Sequence, residues 1–99
     1  MCFSFGYKPY IAIIGDIINS KKLEKRNEVQ FRLNEVLNEV NIKYSKEIAS
    51  KFGITLGDEF QGLLFNGRHT MDIIQLIERR MYPVKFRFGI GIGEITTDI

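Results

Sequence analysis

Ninety-nine residues, 44% hydrophobic and 26% charged, are enough for one domain with its own core and too apolar for a disordered chain. Fourteen basic against twelve acidic residues leave a net charge of +2, so the basic excess that marks a nucleic-acid or membrane-surface partner is missing. One cysteine, Cys2, and one histidine, His69, exclude an internal disulfide and a zinc site of any recognised spacing.

The opening Met1-Cys2-Phe3-Ser4-Phe5-Gly6-Tyr7 has neither a basic start nor a long apolar run, so it does not read as a signal peptide. No apolar stretch reaches the ~20 residues of a membrane helix. A cytoplasmic chain with no membrane partner is the expectation.

After Pro9, the run Tyr10-Ile11-Ala12-Ile13-Ile14 up to Gly15-Asp16 is apolar without alternation, as in a central strand. Asn19 or Ser20 then supplies a helix cap. Val29, Leu33, Val36, Leu37, Val40 and Tyr44 recur on one face of a helix predicted from about Leu23 to about Tyr44. Phe52, Ile54 and Leu56 alternate with Lys51, Gly53 and Thr55, which is strand period. Gly57-Asp58 is a hairpin turn, and the chain returns as a strand over Phe60–Phe65. A shorter helix, capped by Thr70, carries Met71, Ile74, Ile77 and Met81 on its apolar face and stops at Tyr82-Pro83. The last strand, Val84–Gly93, alternates Val84, Phe86, Phe88, Ile90 and Ile92 toward the helices with Lys85, Arg87, Gly89, Gly91 and Gly93 on the open side.

The order β-α-β-β-α-β predicts an α+β, ferredoxin-like fold: an antiparallel sheet with two helices on one face. In that topology strands one and three are neighbours. Asp16, ending the first strand, then lies near Asp58 and Glu59 at the hairpin tip. Clustered carboxylates repel unless a cation sits among them, and oxygen-only donors suit a hard ion, Mg2+ or Mn2+. The competing account makes Gly57-Asp58 a simple tight turn and Asp16 a helix cap. Lys51 and Arg87 on the open face are candidates to meet phosphate, or ordinary surface cations. Gln61 is a candidate base-contacting amide or a solvent-facing strand residue. Lys21-Lys22 and Lys25-Arg26 oppose the helix dipole, a placement explained by a bound phosphate or by a merely solvated face.

The blocks GDIINS (Gly15–Ser20) and LGDEFQG (Leu56–Gly62), separated by a charged helix, resemble the SatD family of bacterial proteins. That resemblance implies a single palm-type domain over 1–99, the N-terminal part of a longer SatD-like protein. Leu56-Gly57-Asp58-Glu59-Phe60 is also similar to the GGDEF hairpin of diguanylate cyclases, with Leu56 for the first glycine. Asp16 with Gly57-Asp58 resembles the metal-binding pair of class III nucleotidyl cyclases. By that likeness Asp16 and Asp58 are metal ligands, the carbonyl of Ile17 a further one and Glu59 the alternative acid. Asn19, Ser20, Gly57, Gln61, Lys51 and Arg87 are the matching candidates for holding a nucleoside triphosphate or another phosphate ligand. The likeness also implies a homodimer.

The departures limit the activity. The purine-selecting lysine of class III adenylate cyclases falls at Ile54 here, and Lys51 is out of register. A metal-dependent nucleotide-binding module therefore follows more readily than turnover. The alternative is a non-catalytic regulatory domain that binds protein or nucleic acid on the same fold; against RNA, the open face of the last strand lacks aromatic residues.

Overall fold

A computed structural model describes residues 10–18 and 25–93. In chain order it forms β1 (Tyr10–Ile17), α1 (Arg26–Lys43), a single 3-10 turn (Ser45–Glu47), β2 (Ile48–Leu56), β3 (Glu59–Leu64), α2 (Thr70–Met81) and β4 (Phe86–Gly93). The sheet order is β2-β3-β1-β4 with every neighbouring pair antiparallel, which is the ferredoxin-like βαββαβ arrangement. Among the described residues no helix is long and apolar enough to cross a membrane.

Alternation along the strands decides which side is buried. Ile11, Ile13 and Ile17 of β1, Phe52 of β2, Phe60 and Leu64 of β3 and Phe86 of β4 join one core with the helices. α1 contributes Leu33, Val36, Leu37 and Val40, and α2 contributes Ile73, Ile74, Leu76, Ile77 and Met81. Val29 and Tyr44 pack at its margin. Phe60 is the hub of the aromatic part, with ring centroids 5.9 Å from Phe86, 6.1 Å from Phe88 and 6.5 Å from Phe52. Two glycines make room for it. A Cβ on Gly15 would strike the Phe60 ring, and one on Gly62 the Phe52 ring, both closer than 3.0 Å.

Polar contacts tie α1 to the sheet and to α2. Register shifts in β2 between Ser50 and Gly53 interrupt its ladder to β3. There Asn41 of α1 donates from Nδ2 to the Phe52 carbonyl (3.0 Å) and accepts the Phe52 amide at Oδ1 (2.8 Å), so the backbone groups at the bulge are satisfied. Glu39 of α1 and Arg80 of α2 form a two-bond ion pair at 2.8 and 3.1 Å.

Several expectations need correction. Ile90 and Ile92 share the helix side but are 49% and 73% exposed, because among the described residues no helix covers that end of β4. Met71 is 58% exposed; the buried stripe of α2 runs through Ile73, Ile74 and Ile77. Thr70 makes no side-chain cap: the cap position is His69, and neither residue closes the helix with a side-chain bond. β3 ends at Leu64, leaving Phe65 half exposed. α1 begins at Arg26, after Lys25, with no side-chain cap; Asn19 and Ser20 lie outside the described residues.

Candidate functional site

The ends of β1 and of the β2–β3 hairpin meet at one edge of the molecule. Asp16 stands directly opposite Glu59 on one side and Arg87 on the other. One step further, the Ile17 amide donates to the Asp58 carbonyl (3.2 Å) and the Ile18 amide to the Lys85 carbonyl (2.8 Å). Gly57 adopts φ of +60°, the left-handed conformation that glycine takes at least cost, and this lets the hairpin close in two residues.

Strand period then separates the acids. Residues directly opposed in a ladder share a face, so Asp16, Glu59 and Arg87 lie on the side of the sheet away from the core. Asp16 is half exposed and its Oδ1 is 3.6 Å from Arg87 Nε. Asp58, one residue before Glu59, turns toward α1. Its side chain is only 13% exposed. Arg26 donates to it from Nε (3.3 Å) and Nη2 (2.8 Å), and Gln30 from Nε2 (3.3 Å). Gln30 also donates to the Gly57 carbonyl (3.1 Å), tying the turn to the helix.

Gln30 is the site residue without a signal in the sequence; Arg26, expected there to face a bound phosphate or solvent, instead meets the Asp58 carboxylate, and the two residues act together. They are four apart on a helix, so they share a face. The available signal was a cation at a helix start, which calls for an anion nearby. Among the described residues no group of three or more acids, histidines or cysteines is arranged to hold a metal. The donor chemistry of Asp16, Asp58, Glu59 and the Ile17 carbonyl is all oxygen, as magnesium and manganese require. In this arrangement a guanidinium sits against Asp58, and a metal bound there would have to displace it.

Beside these residues the open face holds a hollow of about 260 Å³. Ala12, Ile14 and Leu63 form its apolar floor, and Ser50, Lys51, Thr55 and Gln61 line its polar rim. The bulge in β2 is what turns both Ser50 and Lys51 to this side. Arg87 and Gly89 lie across Asp16 and Ile14 from it, on β4. A Cβ added at Gly91 or Gly93 would meet nothing within 4 Å.

No curated protein and no solved structure matches this chain. The model of the SatD family matches residues 10–99. That match spans all four strands and both helices, with the Asp16 and Asp58 blocks inside it, and the chain belongs to the SatD family.

Proposed function

We propose that this SatD-family domain is a metal-dependent nucleotide-binding module of the nucleotidyl cyclase-like palm type. The observation that carries the reading is the pairing of Asp16 with Glu59 next to the Asp58 turn, on the same sheet face as a hollow with an apolar floor and an amide and an ammonium on its rim. Mg2+ or Mn2+ would be held by Asp16, Glu59 and the Ile17 carbonyl, with Asp58 joining them once it leaves Arg26. Bound there, the ion would neutralise phosphate charge. Lys51 and Arg87 supply the cations on the same face, Gln61 a two-sided hydrogen-bonding amide, and Ile14 a flat apolar contact for a base. Gly57 presents backbone without a side chain at the turn, and Asn19 and Ser20 join the proposal from outside the described residues.

Binding rather than turnover is proposed, because Ile54 stands where a purine-selecting lysine is needed. Thermal melting with nucleoside triphosphates and manganese tests the reading, since a ligand held only by the folded chain raises the midpoint by mass action. A rise that disappears in the Asp16→Ala, Asp58→Ala double variant supports it. No rise at millimolar ligand, or a rise indifferent to the double variant, removes it.

One observation favours a second reading. Asp58 is already paired with the Arg26 guanidinium and hydrogen-bonded by the Gln30 amide, so it also serves as a structural tie between hairpin and helix. On that account the domain is a non-catalytic regulatory unit whose open face binds protein or nucleic acid. Salt-sensitive retention of single-stranded nucleic acid, with no manganese-dependent melting shift, is its signature.

A further inference from the structure

The two edges of the sheet are built differently. On the β2 edge, three register shifts break the ladder to β3, Lys51 projects, and Asn41 occupies the Phe52 amide and carbonyl. Bulges, lysines and covered backbone are devices that stop an edge from recruiting another strand. Among the described residues the β4 edge has none of them. Its ladder to β1 is unbroken from Tyr10 opposite Gly93 to Ile17 opposite Phe86, and Arg87 is its sole charge.

The ladder register identifies which backbone groups face outward. The Ile17–Asp58 and Ile18–Lys85 bonds each join directly opposed positions, one step beyond Asp16–Glu59 and Ile17–Phe86. Antiparallel bonding alternates, so odd residues of β1 bond to β3 and even residues to β4. In β4, the N–H and C=O groups of Arg87, Gly89, Gly91 and Gly93 therefore point to β1. Those of Phe86, Phe88, Ile90 and Ile92 point outward, where the sheet has no further described strand. The same edge carries Ile90 and Ile92, 49% and 73% exposed.

We propose that β4 pairs antiparallel with β4 of a second copy of this chain, joining two four-stranded sheets into one. A two-fold axis normal to the sheet keeps each face on its own side, so residues of like parity must oppose one another. With Ile90 on the axis, Ile90 meets Ile90 of the second copy, and Ile92 meets Phe88. All three project outward-facing backbone groups, so side-chain cover and hydrogen bonding coincide. Charge permits the pairing. Arg87 falls opposite Gly93 of the second copy, and the two arginines end ~20 Å apart, past the ~8 Å screening length of physiological salt. Each also keeps its own Asp16 at 3.6 Å. A second copy suits this edge because it supplies the same apolar, glycine-spaced strand and brings no unpaired charge into the new ladder.

Sedimentation of the full chain across concentration tests the proposal. The expected result is a weight-average mass rising from 11.5 kDa toward twice that value. Ile90→Lys should weaken association about tenfold or more while its circular dichroism spectrum is unchanged. Ile92→Pro should do the same, because its N–H faces away from β1 and the ladder does not need it. In the parent chain the amides of Phe88, Ile90 and Ile92 should exchange slowly in concentrated samples and rapidly on dilution. A monomer at every concentration overturns the proposal. So does a dimer that both variants leave intact, or protection of those amides that ignores concentration, which would mean that the chain's own residues hold the edge.

Discussion

Arg26, the first residue of α1, holds the Asp58 carboxylate at the hairpin tip with two hydrogen bonds, from Nε at 3.3 Å and Nη2 at 2.8 Å. A cation at a helix start opposes the helix dipole, and an acid reaching it from the sheet offsets that cost. The pair thus ties the entry of α1 to the β2–β3 turn, thirty-two residues away in sequence.

Removing the charge of Asp58 leaves Arg26 without its anion, so Asp58→Asn should destabilise by about 0.5–1.5 kcal/mol, toward the low end because Arg26 is half exposed. A double-mutant cycle with Arg26→Ala should show favourable coupling. Arg26→Ala has a second consequence under the proposed function. Freed of its guanidinium, Asp58 should bind manganese more tightly, and titration calorimetry on the two proteins reads that difference. Weaker metal binding in Arg26→Ala would count against Asp58 as a ligand.

The glycines under the aromatic cluster should respond unequally to a methyl group. At Gly62 the added carbon meets the root of the Phe52 ring, which cannot swing away; at Gly15 it meets the far edge of the Phe60 ring. Gly62→Ala should cost about 1–3 kcal/mol and Gly15→Ala less, both by chemical denaturation. Gly53→Ala, with open space around it, should be neutral or slightly stabilising.

Much of this fold was legible because burial imposes period. The alternation Phe52-Ile54 and the stripe Leu33-Val36-Leu37-Val40 each identify a buried face without help from distant residues. Ile90 and Ile92 show the limit: alternation tells which side of β4 they occupy, while cover depends on where a helix lies above them. Met71 was misplaced because its neighbours three and four apart form two overlapping stripes. At ~100° per residue, the stripe through Ile73, Ile74, Ile77 and Met81 leaves Met71 well to one side. In the candidate site, the meeting of Asp16 with the hairpin followed from topology. The direction of Asp58 toward Arg26 and Gln30 did not, since no local pattern links partners thirty-two and twenty-eight residues apart.

Asn41 is the polar residue whose loss should be felt most in the core. It satisfies both backbone groups of Phe52, a residue only 3% exposed. Asn41→Ala strands a donor and an acceptor and should lower stability by about 1–3 kcal/mol. Asn41→Asp keeps the acceptor and loses the donor to the Phe52 carbonyl, so it should rescue little. A loss below about 0.5 kcal/mol would mean that solvent replaces the amide at the bulge.

Acid should act through Glu39. The hydrogen bonds from Arg80 hold its carboxyl below the ordinary value of 4.5, with burial opposing and the Arg80 charge assisting. A carboxyl with a lower pKa in the folded chain stabilises above its unfolded pKa, and that contribution fades as pH falls through the folded value. The parent should therefore melt above Glu39→Gln at neutral pH, and the two curves should converge in acid. Both partners are exposed enough that added salt should narrow the neutral-pH gap. A gap that persists at low pH would assign the effect to packing instead.

Thr70 tests whether a buried hydroxyl is needed at all. It opens α2, is 7% exposed, and its Oγ1 has no hydrogen-bond partner among the described residues, although its amide donates to the Gly67 carbonyl. A lone buried hydroxyl has given up water for nothing in return, and valine keeps the same branched shape without it. Thr70→Val should therefore stabilise by about 1 kcal/mol, raising the melting midpoint by about 4–8 °C for a domain of this size. Thr70→Ser, which retains the hydroxyl and loses the methyl, should move the midpoint down. If valine destabilises while serine is tolerated, the hydroxyl makes a bond at the start of α2 after all, and Thr70 closes the helix as its position in the sequence suggested.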